Sequence, residues 1–121
     1  MSPGITNAQR TGQSAETVAR RHLEKAGLSL IERNYRSRQG EIDLVMRDGK
    51  MLVFVEVRYR RQDRFGTGAE SVDRRKRMRL VRTAQYYLLK HPADAERPCR
   101  FDVVSLAPSR VDWIRDAFSM E

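Results

Sequence analysis

Asp43, Glu56 and Arg58 are the residues whose types and spacing point to chemistry. They lie in two β-rich runs, Gly40 to Arg47 and Lys50 to Arg60, on either side of Asp48-Gly49. An Asp-Gly pair favours φ > 0 at both central positions of a type I′ turn, so the stretch predicts a β-hairpin turning at Asp48 and Gly49. Arg47 then faces Lys50, Met46 faces Met51, Val45 faces Leu52, Leu44 faces Val53 and Asp43 faces Phe54. One face collects Ile42, Leu44, Met46, Met51, Val53, Val55 and Val57, all apolar, and is expected to be core. The other collects Glu41, Asp43, Val45 and Arg47 with Leu52, Phe54, Glu56, Arg58 and Arg60. A one-residue slip would mix the two sets, which supports the register.

In this register Glu56 is opposite Glu41 and diagonal to Asp43. Diagonal neighbours are roughly 7–8 Å apart at the backbone, within reach of one small ion. Carboxylates are the hard oxygen ligands that Mg²⁺ and Mn²⁺ take. Arg58 shares the face. The plainer alternative is a solvated sheet surface with a Glu41–Arg58 ion pair, of the kind that contributes little.

The elements that must hold this hairpin follow from the chain in order. Residues 1–12 are polar, with Pro3, Gly4 and Gly12, and read as a flexible leader; residues 13–121 form a single domain. A helix is predicted over Ser14 to Lys25, with Ala15, Val18, Ala19, His22, Leu23 and Ala26 on one face. Ser14 would be its N-cap and Gly27 its stop. Glu16 sits at the edge of the stripe, where an ordinary Glu16–Arg20 pair is the simplest role. A strand over Leu28 to Tyr35 buries Leu28, Leu30 and Ile31, and a basic connection leads to Gly40.

Beyond the hairpin, Arg60 to Thr67 reads as a basic, glycine-bearing surface loop. Its glycines lack the helix entry of a phosphate-binding P-loop. A second helix is predicted over Asp73 to Lys90, capped by Ser71 or Asp73 and ended by His91-Pro92. It would bury Leu80, Val81, Ala84, Tyr87 and Leu88. A strand follows over Arg100 to Leu106, then a short strand or turn over Val111 to Ile114, with Trp113 and Phe118 packed on the sheet. The order is α-β-β-β-α-β with a short C-terminal piece: an α/β fold with a mixed central sheet flanked by helices.

Composition narrows the partners. The chain has 121 residues, 24 Lys plus Arg against 16 Asp plus Glu, and a formal net charge of +8. That balance suits an anionic partner, nucleic acid foremost. Arg60 and Arg61 in the loop, and Arg74, Arg75 and Lys76 on the second helix, are the expected phosphate contacts. One cysteine, Cys99, excludes an internal disulfide and a zinc ribbon. No apolar run approaches a membrane span and no signal-peptide core is present, so the expected compartment is the cytoplasm with no membrane partner.

Gly40-Glu41-Ile42-Asp43-Leu44-Val45 followed by Val53-Phe54-Val55-Glu56-Val57-Arg58 resembles the PD-(D/E)XK nuclease signature. More closely, the chain resembles the YraN-like family of uncharacterised bacterial proteins, which are similar to archaeal Holliday-junction resolvases. Gly12, Glu16, Asn34-Tyr35-Arg36, Lys76, Ala84 to Leu88 and Arg100-Phe101-Asp102-Val103-Val104 carry that likeness across nearly the whole chain. The resemblance implies a restriction-endonuclease-like αβββαβ core and hydrolysis of phosphodiesters with Mg²⁺ or Mn²⁺. It implies Asp43 and Glu56 as metal-binding acids and Glu16 as a catalytic acid from the first helix. Arg58 stands where the signature has lysine. Arginine can stabilise phosphate charge but stays protonated and cannot act as a base. The expected function is a metal-dependent endonuclease like the junction resolvases, acting on branched DNA or on RNA, as a homodimer. The alternative is a non-catalytic nucleic-acid-binding module for DNA processing or uptake, with a decayed nuclease site.

Overall fold

The computed structural model describes residues 13–60 and 73–120. The leader, Arg61 and the Ser71 cap lie outside the described residues. The elements are α1 (Gln13–Lys25), β1 (Ser29–Ser37), β2 (Gly40–Asp48), β3 (Met51–Tyr59), α2 (Arg74–Lys90), a 3₁₀ turn (Pro92–Asp94), β4 (Cys99–Ala107) and β5 (Arg110–Phe118). The strands form one sheet in the order β1-β2-β3-β4-β5. Neighbours are antiparallel except β3 and β4, which are parallel because α2 carries the chain back across the sheet. This is the expected mixed α/β architecture, consistent with a restriction-endonuclease-like core. The C-terminal piece is longer than expected: it is a full fifth strand, and Phe118 stacks on Phe101 with ring centroids 4.8 Å apart.

Both faces of the sheet are core. Leu44, Met46, Val53 and Val55 pack under α1 with Ala15, Ala19 and Leu23. Val45, Leu52 and Phe54 pack under α2 with Leu80, Ala84 and Tyr87. The apolar part of the second hairpin face, near the turn, is therefore covered by α2. On α1, Val18 and His22 are exposed, as is Ala26 just beyond the helix, so the buried stripe is narrower than predicted. Ser14 lies inside α1 rather than capping it. The stop is as expected: Gly27 has φ +103°, and Leu28 N–H donates to Leu23 O at 3.1 Å.

The hairpin turns one residue later than the sequence suggests. Asp48 pairs with Met51, Arg47 with Leu52, Met46 with Val53 and Val45 with Phe54. The central residues are Gly49 and Lys50, and only Gly49 has positive φ, +62°. That is type II′ chemistry, which needs glycine at the first position alone, whereas a type I′ turn would force Asp48 into φ > 0. The partner shift is two residues, so the face assignments keep their parity. Two exceptions remain, each with a local cause. Ile31 is the extra residue of a β1 bulge, between the Leu30–Met46 and Glu32–Val45 pairs, and is 40% exposed instead of buried. Ile42 joins the α2 side, opposite to Leu44.

Candidate functional site

The Ile42 exception marks the site. Asn34 has φ +52° and lies between the pairs Arg33–Leu44 and Tyr35–Ile42, level with Asp43. The β1–β2 ribbon twists there, so Tyr35 and Ile42 pack under α2 while Leu44 packs under α1. The β2–β3 ladder ends at Leu44–Val55. In place of a further rung, Asp43 Oδ2 accepts a hydrogen bond from Val57 N–H at 2.8 Å. The two-residue shift of the hairpin brings Glu56 level with Asp43 rather than diagonal to it.

Asp43 and Glu56 line a cleft of about 210 Å³ together with Gly40, Glu41, Lys76, Arg79 and Leu80. Its floor is β2 and β3; its wall is α2. Glu56 is only 5% exposed, and its Oε2 lies 2.6 Å from Lys76 Nζ. Lys76 is placed by the helix cap, since Asp73 accepts from Lys76 N–H at 2.9 Å. α2 can approach this closely because position 40 is glycine. A Cβ on Gly40, at φ +148°, would stand 2.9 Å from Thr83 Oγ1. Thr83 is itself fixed by donating to Arg79 O at 2.7 Å.

Burial and the neighbouring acids raise the proton affinity of Asp43. Burial, then the Glu56 carboxylate, push the Asp43 carboxyl up to about 8, and Glu16 and Glu41 add to this. Glu16 from α1 is also raised, first by burial. It is hydrogen-bonded to Asp43 and Asn34. Glu16, Asp43 and Glu56 thus lie in sequence from α1 through β2 to β3, with Asp43 electrostatically coupled to both.

The other expected site residues fall elsewhere. Arg58 is half-buried, level with Ser105 of β4, and does not line the cleft; it makes contacts of its own. Glu41 pairs with Arg36 at 3.2 Å instead of with Arg58, and Arg20 pairs with Glu24 instead of with Glu16. Arg74 and Arg75 are exposed on the first turn of α2, beside the cleft. Arg60 follows the end of β3, its backbone N–H donating to Leu106 O at 2.7 Å.

Sequence reasoning missed Gly40, Asn34 and Thr83 as positioning residues. A glycine two residues before a first-strand acid was the available signal for Gly40. Among the described residues no group of three or more His, Cys, Asp or Glu side chains converges closely enough to hold a metal alone, and no helix is long and apolar enough to cross a membrane.

The fold and cleft define a class: a small mixed α/β protein with a buried acidic cleft beside a basic helix. The chain belongs to the uncharacterised protein family UPF0102, whose sequence profile matches residues 15–106. It is 58% identical over 115 residues to a UPF0102 protein of Xanthomonas campestris pv. campestris, covering 93% of this chain and 94% of that one. A UPF0102 protein of Xanthomonas oryzae pv. oryzae is 60% identical over 112 residues, 91% of this chain and 92% of the relative. One from Xylella fastidiosa is 53% identical over 119 residues, 97% and 98% of the two chains.

Proposed function

We propose that this protein binds nucleic acid through α2 and hydrolyses phosphodiesters in the Asp43–Glu56 cleft with Mg²⁺ or Mn²⁺. The observation that carries the reading is the juxtaposition of Asp43, Glu56 and Lys76 in one cleft under a basic helix. Mg²⁺ is commonly held by one or two carboxylates plus substrate phosphates and water, so this donor set fits it without a third acid. When bound, the metal would supply charge neutralisation at the phosphate and an acidified water. Asp43 and Glu56 would hold it, and Glu16 would orient Asp43 through their hydrogen bond. Lys76 would turn from Glu56 to a non-bridging phosphate oxygen. Arg58, lying outside the cleft, would contribute charge along the path of the strand.

The first turn of α2 carries Arg74, Arg75, Lys76 and Arg77 and no acid. Cations at a helix N-terminus oppose the macrodipole, at about 0.3–1 kcal/mol each. Phosphate groups laid against that turn would offset this cost. DNA, branched or structured, is the favoured partner, with RNA as the other candidate.

One observation favours the non-catalytic alternative. The Lys76 ammonium already neutralises Glu56. If that pair does not open, the protein is a binding module with a decayed site. Calorimetric titration with Mn²⁺ separates the two. The nuclease reading expects a saturable site lost in Asp43→Ala; a folded wild type that takes up no Mn²⁺, even with nucleic acid bound, sinks it.

A further inference from the structure

A second cleft lies on another face of α2. It has a volume of about 720 Å³, between α2 and the end of β5. Arg74, Arg77, Met78 and Arg82 line it from the helix, and Phe118 and Met120 from the C-terminal segment. No acidic side chain is among its lining residues. The helix residues recur at i, i+3, i+4 and i+8, so they form one stripe, distinct from the stripe of Lys76, Arg79 and Leu80 that walls the acidic cleft.

The floor carries a stacked pair of rings with a guanidinium above it. Phe118 stacks on Phe101 at 4.8 Å with the planes 16° apart. The Arg77 guanidinium carbon lies over the Phe118 ring, 5.6 Å from its centroid. Arg74 and Arg82 are exposed and make no ion pair among the described residues. The cleft therefore offers an apolar, aromatic and guanidinium surface beside two cations with no acid opposite. A ligand matching this has a planar apolar part and an anionic part. Its volume falls within the roughly 300–1,000 Å³ typical of small-molecule sites, ample for one nucleotide.

We infer that this cleft receives an unpaired nucleotide of a nucleic-acid strand, its base stacked on the Arg77–Phe118 shelf and its phosphate held by Arg74 and Arg82. Bases stack on aromatic rings and on arginine planes, and arginine pairs with phosphate oxygens in a fixed fork. The inference rests on nucleic-acid binding by α2 and sharpens it. Arg74 lines this cleft, Lys76 lines the acidic one, and exposed Arg75 follows Arg74 on the same turn, so a strand crossing the first turn of the helix can reach both. A duplex has no base to offer; a bulge, flap or branch does. The substrate class is thus a duplex interrupted by an unpaired residue.

The test is equilibrium binding without metal, using the full chain and three probes of equal length. These are a plain duplex, the same duplex with one bulged 2-aminopurine, and the same duplex with an abasic residue at the bulge. Wild type should bind the 2-aminopurine bulge about ten-fold more tightly than the abasic one, the scale of one base–aromatic stack. The fluorescence of the 2-aminopurine should be quenched on binding. Arg77→Ala should abolish the quenching and the preference, and Arg82→Ala, an exposed change on the helix, should weaken binding of both bulged probes about alike. Arg82→Ala, outside the first turn of α2, should keep affinity for the plain duplex to within a few-fold.

Duplex binding with equal affinity for the two bulges and no quenching overturns the nucleotide site but leaves the basic-helix reading standing. Failure to bind any probe at low salt overturns both. A concentration-dependent dimer that Phe118→Ala dissociates, seen by light scattering, would mean that a second copy fills the cleft, and would also overturn the inference.

Discussion

Lys76 and Glu56 are joined across the sheet–helix boundary by a 2.6 Å contact, one partner half-buried and the other almost wholly so. The pair closes the acidic cleft and ties the first turn of α2 to β3. Removing the cation leaves a buried carboxylate without a partner. Lys76→Met should cost about 1–3 kcal/mol, below the ~3–5 kcal/mol of a fully buried pair because water reaches the ammonium. Chemical denaturation checks this. Mn²⁺ should restore more stability to Lys76→Met than to wild type, since the ion would replace the lost cation on Glu56.

Stability without metal should fall as pH rises, and Asp43 should be the cause. Its folded pKa, about 8, lies above its ordinary value of 3.8, so the folded state holds the proton more tightly than the unfolded chain. The stabilisation is complete below the unfolded value and is lost progressively up to the folded one, between about pH 4 and pH 8. Glu16 from α1, Glu41 from β2 and Glu56 from β3 disfavour the charge, with Lys76 of α2 opposing them at Glu56. Asp43→Asn should flatten the profile and gain at least ~1 kcal/mol over wild type at pH 8, the worth of about one pKa unit. Melting curves from pH 5 to pH 8 measure it; a wild type equally stable at both ends would place Asp43 in an ordinary solvated setting.

Gly40→Ala should destabilise by about 1–3 kcal/mol, the usual cost of a residue held in a sparsely populated backbone region. It should also weaken function by lifting α2 from β2. Thr83→Ala removes the hydroxyl that the new methyl would meet 2.9 Å away, so the double variant should cost less than the two single costs added. The backbone strain at φ +148° would remain. Additivity in the double-mutant cycle would mean that Gly40 and Thr83 do not set the helix depth.

Charge reversal at the exposed Arg74 and Arg75 should weaken binding to every nucleic-acid sequence alike. It should also reduce the slope of log affinity against log salt by about one per lost phosphate contact. Filter binding across a salt series reads this. An unchanged slope would mark these arginines as a solvated surface.

Much of this fold is legible in the sequence because its period-2 and period-3.6 patterns do not compete. α2 could be placed almost to the residue from Asp73 and His91-Pro92, since a cap and a proline stop are local chemistry. The hairpin faces could be assigned from alternation alone, because a two-residue register shift preserves parity. The turn type could not, as Asp48-Gly49 and Gly49-Lys50 both satisfy local rules and the energetic difference lies in the strands. β5 reads from the sequence as shorter than it is because Arg115 and Asp116 interrupt its apolar pattern at an edge strand, where Asp116 adopts φ +51°. In the site, Asp43 and Glu56 could be brought near one another from alternation, although the expected register set them diagonal rather than level. Lys76 could not be matched to Glu56, because that contact depends on how deeply α2 settles onto Gly40, a tertiary distance with no period.

The most direct test of the nuclease assignment is Mn²⁺-dependent cutting of a labelled four-way junction, a flap and a bulged duplex. The proteins compared are wild type, Asp43→Ala, Glu56→Gln, Lys76→Met, Arg58→Ala and Arg58→Lys. Wild type should cut at least one substrate. The two acid variants should be inactive, and Lys76→Met should be slower by ~10²-fold or more, the scale of losing one transition-state donor. The two Arg58 variants should lose far less than Lys76→Met, because Arg58 lies outside the cleft. A wild type inert on all three substrates, or acid variants that cut as fast as wild type, would contradict a phosphodiesterase centred on Asp43 and Glu56.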